Sequence, residues 1–145
     1  KIKNLIQELG LKARVFIMDN GESREALLEL YKNAELFLLA SQNVRHDVEG
    51  FGLVFLEAAA AGLPVVGPKD SGAEDAILDG KNGFLVREDD PAGFAETIIQ
   101  ILNNRDLKKE MSQNSLKFAE EMRWEDKIEE YARLYKTLLP QSSLS

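Results

Sequence analysis

Cysteine is absent from the 145-residue chain, and histidine occurs once, as His46. The first absence excludes disulfides and thiolate metal sites, and the second excludes any site built on two imidazoles. No apolar run is long enough to cross a bilayer. Positive charge is also short: 18 Lys and Arg stand against 25 Asp and Glu, a net charge of -7. That balance argues against sequence-independent nucleic-acid binding and against docking of this segment alone on anionic lipid. There is no basic-then-apolar leader, and Lys1 already stands in a helical pattern. The chain therefore reads as an internal piece of a longer soluble, cytoplasmic protein.

What is present is a globular composition, 44% hydrophobic and 30% charged, long enough for a domain with a real core. Ile2, Leu5, Ile6 and Leu9 recur at helical spacing before Gly10. Val15–Met18 is a short apolar run that suits a strand buried on both faces. After the turn signal Asp19-Asn20-Gly21, Ser23–Asn33 reads as a helix with Leu27, Leu28, Leu30 and Tyr31 inward. Leu36–Leu39 is a second buried strand, and Ser41–Gly50 is a polar loop. A helix without a wide polar face follows from Gly52 to Ala61, stopped by Gly62. Pro64–Gly67 is a third strand, Ala73–Leu78 a short helix, and Asn82-Gly83 a turn into the strand Phe84–Val86. Asp90-Pro91 opens a helix through Leu102, and Asp106–Met122 and Trp124–Leu139 are two more. Pro140 ends the last, leaving residues 140–145 as a frayed tail behind a domain of residues 1–139. Short buried strands alternating with helices predict an α/β fold: a Rossmann-like parallel sheet with helices on both faces, followed by C-terminal helices.

The stretch from Ser41 to Gly83 carries the chemistry. In a parallel α/β sheet, ligands bind beyond the carboxyl ends of the strands. There Gly50, Phe51 and Gly52 lead into a helix, and glycine lets backbone N–H groups approach a phosphate. The helix N-terminus adds roughly half a positive charge. Glu57 lies in Leu53-Val54-Phe55-Leu56-Glu57-Ala58-Ala59-Ala60-Ala61, a helix otherwise free of polar side chains. Its carboxylate must reach solvent, a partner or a ligand, because burying it unpaired is costly. Glu49 in the loop and Glu57 in the helix thus point to one cleft. The same two residues also read as a loop or capping glutamate and an ordinary edge glutamate.

The run Glu49-Gly50-Phe51-Gly52-Leu53-Val54-Phe55-Leu56-Glu57-Ala58, followed by Gly62-Leu63-Pro64-Val65-Val66, resembles the E-x7-E segment of retaining GT-B glycosyltransferases. Within them it is similar to the group-1 family that includes glycogen synthases and lipid and polysaccharide mannosyltransferases. Ser71-Gly72, Asp79-Gly80, Asn82-Gly83-Phe84-Leu85-Val86, Trp124 and Tyr135 continue the match in order. Asp47-Val48-Glu49-Gly50 most resembles the phosphatidylinositol mannosyltransferase branch. The resemblance implies transfer of a hexosyl group, with retention, from a nucleoside diphosphate sugar to a hydroxyl acceptor in polysaccharide or glycolipid biosynthesis. It implies Glu49 against the donor sugar hydroxyls as the catalytic-site residue. It places the backbone of Gly50, Phe51, Gly52 and Leu53 on sugar and pyrophosphate, and Glu57 on the ribose hydroxyls. Ser41, Asp47, Ser71 and Asp75 are implied as pocket lining. Asp47 beside Glu49 also has the form of a Mg²⁺ pair, but the family implies neither metal nor cofactor. His46 is implied to be a loop residue, since the family's histidine contributions come from the other domain.

The sequence departs from the family at Ala40, where proline usually precedes the serine, at Ser71 in a usual Gly-Gly pair, and at Asp75, where a glutamate is usual. The family's strand, Gly-Arg segment and lysine-bearing helix, and its acceptor domain, are expected to lie outside the residues from Lys1 onward. In the order 3-2-1-4-5-6, Val15–Met18 would be strand 3 and Leu36–Leu39 strand 4, with strands 1 and 2 missing between them. The implied partners are the nucleotide sugar and the missing N-terminal acceptor domain and strands. Self-association through uncovered strand edges is a further expectation, and a membrane-peripheral parent is compatible with the family. Two other readings stand beside the transferase: a GT-B-type nucleotide-sugar epimerase, and a non-catalytic α/β binding or assembly module.

Overall fold

A computed structural model describes residues 1–18, 23–41 and 52–138. The chain forms two compact units, one of Lys1–Leu30 and one from Tyr31 onward. The first contains α1 (Ile2–Glu8) and the start of α2 (Arg24–Asn33). Val15–Met18 belongs to no strand, and its side chains are exposed, Phe16 to 83%. This corrects the buried-strand expectation: an apolar run becomes a strand only when a neighbour supplies a ladder, and no described residue does. Leu27, Leu28 and Leu30 are likewise exposed, and Tyr31 alone is buried on α2.

The second unit is built on three parallel strands in the order β1 (Phe37–Leu38), β2 (Val65–Pro68) and β3 (Gly83–Val86). Phe37 pairs with Val65, and Val65 in turn with Gly83. Sequential order at this end of the sheet is the 4-5-6 arrangement expected from the sequence. Between β1 and β2 runs α3 (Leu53–Ala60); between β2 and β3 there is only a 3-10 turn, Gly72–Asp75, in place of the expected helix over 73–78. Then come α4 (Pro91–Asn103), α5 (Arg105–Glu121) and α6 (Trp124–Leu138).

Side chains alternate across a strand, so Val65 and Val66 face opposite ways. Val65 joins Phe55, Ala58, Leu63, Ala73 and Ile77 in one buried cluster, while Val66 joins Val86, Phe94, Ile101 and Met111 in another. The sheet is therefore covered on both faces, by α3 and the 3-10 turn on one and by α4 and α5 on the other. The helix ends follow local chemistry. Asp90 accepts from the Gly93 N–H at 2.9 Å to cap α4 behind Pro91, and Asn104 accepts from the Leu107 N–H at 3.0 Å to cap α5. Gly62, at φ 79°, turns the chain left-handed after α3, beside Leu116 and Ser112 of α5.

One buried polar residue ties helix to sheet. The Ser115 hydroxyl donates to the Leu63 carbonyl at 2.7 Å and lies 3.2 Å from that of Asn82. Ser115→Ala takes this donor from the Leu63 carbonyl, while the Asn82 carbonyl still accepts from the Val65 N–H at 3.1 Å, so an expected loss of about 1–2 kcal/mol should appear as an earlier denaturant midpoint.

By contrast α6 buries no side chain, and Trp124, Ile128, Tyr131, Tyr135 and Leu138 are each 60–70% exposed. Among the described residues no helix is long and apolar enough to cross a membrane.

Candidate functional site

The carboxyl ends of β1 and β2 bring three segments together. Beyond β1, the Leu39 N–H still donates to the Val66 carbonyl at 3.1 Å, and the chain reaches Ser41 two residues on. The Ser41 hydroxyl is buried and has no hydrogen-bond partner among the described residues. A buried hydroxyl without a partner is costly and marks a place where a polar group can bind.

The second segment is the start of α3. Gly52 is its N-cap, left-handed at φ 66°, and as a glycine it brings no side-chain oxygen to the helix N-terminus. A Cβ at Gly52 would lie 2.8 Å from Phe55 Cδ2, so the position requires glycine both for its dihedral and for its close packing. The third segment is the turn after β2. A Cβ at Gly52 would stand 3.9 Å from the Ala73 Cα, which places the two backbones side by side. Ser71 caps this turn: its hydroxyl donates to the Pro68 carbonyl at 2.9 Å and accepts from the Ala73 N–H at 3.2 Å. Both hydrogen-bonding functions are thus used within the turn. Asp75 is exposed at the turn's end.

Glu57 faces outward from α3. Its Oε2 accepts from the Tyr31 hydroxyl at 3.4 Å, a long bond that leaves most of the carboxylate's capacity open. Tyr31 is held by packing: its ring is 6.0 Å from Phe37, and Phe37 meets Phe55 edge-on at 5.6 Å. Burial pushes the Tyr31 phenol above its ordinary value, and the Glu57 charge adds to the rise, so Tyr31 stays a neutral donor. A cleft of about 780 Å³ runs along this side of α3, with Leu53, Leu56 and Glu57 on one wall and Trp124, Lys127 and Tyr131 of α6 on the other. The cations on its rim are paired: Arg123 with Glu120 at 2.9 Å, and Lys127 with Glu130 at 3.3 Å.

Of the residues singled out in the sequence, Ser41, Gly52, Leu53 and Ser71 stand at the strand ends, and Glu57 lies one turn further along α3. Glu49, Gly50, Phe51 and Asp47, together with His46, lie outside the described residues. Tyr31 is the residue that sequence reading left in the core alone; its contact with Glu57 spans 26 positions, and no local pattern announces it.

The profile of one protein family, described as glycosyl transferases group 1, matches residues 1–118. A D-inositol 3-phosphate glycosyltransferase of Corynebacterium urealyticum is 32% identical over 137 residues, covering 94% of this chain and 31% of the relative. The chain thus spans about a third of the length of the curated relatives it matches. Among solved structures, sucrose-phosphate synthase from Thermosynechococcus elongatus superposes with a TM-score of 0.80 at 28% identity, over 94% of this chain and 33% of that one. Anabaena HepE, solved in complex with UDP, superposes with a TM-score of 0.77 at 25% identity, over 95% of this chain and 37% of that one.

Proposed function

Because the chain belongs to the group 1 glycosyl transferases, we propose that it is the donor-binding part of a longer retaining enzyme. That enzyme moves a hexosyl group from a nucleoside diphosphate sugar to a hydroxyl acceptor. The observation that carries the reading is the glycine-capped N-terminus of α3 at the carboxyl ends of the strands, with Glu57 open on the same helix. An N-terminus without a side-chain cap offers N–H groups and a positive dipole end to a diphosphate. A carboxylate accepts two ribose hydroxyls in the manner it accepts Tyr31. The UDP bound to HepE supports a nucleoside diphosphate as the ligand class.

In this reading the backbone from Gly50 to Leu53 receives sugar and pyrophosphate, Glu49 lies against the sugar hydroxyls, and Glu57 holds the ribose. Charge building on the departing diphosphate is met by the α3 N-terminus and by cationic groups elsewhere in the longer protein, without a metal. The acceptor approaches from a separate domain, and the chain by itself binds without turnover. The enzyme works in the cytoplasm or at its membrane surface.

The test is consumption of UDP-, GDP- and ADP-sugars by the full-length protein, with the anomeric configuration of the product read by NMR. Consumption of none of them sinks the reading, and inversion removes its retaining half. Within it, Glu49→Ala should lower turnover about fivefold while leaving affinity for the bare nucleoside diphosphate within about twofold, since only sugar hydrogen bonds are lost. An equal fall in both would make Glu49 a structural loop residue.

A further inference from the structure

Among the described residues, Asp70 is the one non-glycine residue with a left-handed backbone, at φ 56°. Few L side chains adopt that conformation, and aspartate does so where local hydrogen bonds select it. Asp70 lies two residues past Pro68, the end of β2, at the carboxyl edge of the sheet. The segment is fixed on several sides. The Lys69 N–H donates to the Val86 carbonyl at 2.8 Å, tying the chain to β3. The Ser71 hydroxyl donates to Pro68 at 2.9 Å. The Asp70 N–H itself donates to Glu74 Oε1 at 2.8 Å, a short bond to a charged acceptor. The Glu74 carboxylate therefore straps the left-handed residue to the 3-10 turn, whose Ala73 stands against Gly52 at the start of α3. The family pattern points one residue further on, to Asp75, which is exposed.

We propose that Glu74 is a positioning residue of the donor site. By holding Asp70 left-handed it sets where Ser71–Ala73 meet Gly52, and with that the shape of the corner that receives the diphosphate. This rests on the nucleotide-sugar reading above. A carboxylate that only tied down a surface turn would contribute to stability and leave ligand affinity alone.

The experiment compares the wild-type full-length protein with Glu74→Ala, Glu74→Gln and the double variant Asp70→Gly/Glu74→Ala. Calorimetry with UDP, GDP and ADP reads affinity, and amide hydrogen exchange over residues 70–73 reads the strap. Glu74→Ala should weaken the nucleoside diphosphate that the wild type binds by about fivefold and speed exchange at Asp70. Glu74→Gln keeps an acceptor oxygen and should stay within about twofold. Glycine adopts φ 56° without help, so Asp70→Gly should restore affinity in the Glu74→Ala background. Unchanged affinity in Glu74→Ala, or a loss that Asp70→Gly fails to recover, overturns the proposal while the nucleotide-sugar reading stands. A wild-type protein that binds none of the three nucleotides overturns both.

Discussion

Gly83→Ala should cost about 3 kcal/mol of stability and lower the melting temperature by roughly 10 °C. Gly83 is buried in β3 directly opposite Val65, and a Cβ there would run into the Val65 carbonyl. The obstacle is backbone of the central strand, so no side-chain rotation relieves it; β2 and β3 must move apart. Gly80→Ala is the matching control. Gly80 is left-handed at φ 75°, but a Cβ there meets nothing within 4 Å, so only the dihedral strain of about 1–2 kcal/mol is incurred. Denaturant melts of the two variants separate the mechanisms. If Gly83→Ala were no less stable than Gly80→Ala, the register of β3 on β2 would have to be abandoned.

Both glycines sit in the Asp79-Gly80-Lys81-Asn82-Gly83 stretch, and they show what sequence alone can reveal. That this stretch turns was legible, because Asp-Gly and Asn-Gly are turn chemistry. That Asn82 is fully buried, its Oδ1 accepting from the Leu78 N–H at 2.8 Å, was not, because the bond depends on how the turn folds back. The central part of the sheet was readable for a related reason. Leu36–Leu39, Pro64–Gly67 and Phe84–Val86 are short apolar runs, the last two with Pro or Gly at their ends, and all three pair within the chain.

Val15–Met18 has the same composition and forms no strand. Apolar content states that a segment would gain by burial, whereas pairing depends on a neighbour far away in sequence. Leu27, Leu28 and Leu30 make the same point for a helix: the 3.6-residue period marks a face, and the partner for that face is not encoded locally. At the site, glycine before an apolar helix was legible as an open N-terminus. The left-handed residue after β2 was not. In Lys69-Asp70-Ser71-Gly72 the left-handed residue is Asp70 and not the glycine, and Glu74 holds it in place.

Glu57→Ala should weaken donor binding in the full-length protein roughly ten- to a hundredfold, equivalent to about 1.5–3 kcal/mol of lost hydrogen bonding to a charged acceptor. Its effect on folding should be small. Glu57 is exposed, and the bond it accepts from Tyr31 is 3.4 Å long, so little of the native structure depends on it. Alanine is also a better helix former than glutamate, which offsets part of any loss. Glu57→Gln should be milder, since an amide oxygen still accepts from one hydroxyl. Tyr31→Phe separates the two readings of this carboxylate. If Glu57 serves only to satisfy the Tyr31 hydroxyl, removing that hydroxyl should reproduce whatever Glu57→Ala does. If Glu57 holds the ribose, Tyr31→Phe should leave affinity within about twofold, because the carboxylate remains in place and loses only a long-range donor. Calorimetry with a nucleoside diphosphate and with the corresponding 2′,3′-dideoxy nucleotide closes the argument. A ribose-holding Glu57 predicts that the dideoxy ligand binds wild type and Glu57→Ala equally weakly. A full alanine effect on the dideoxy ligand would show that Glu57 acts on some other part of the donor.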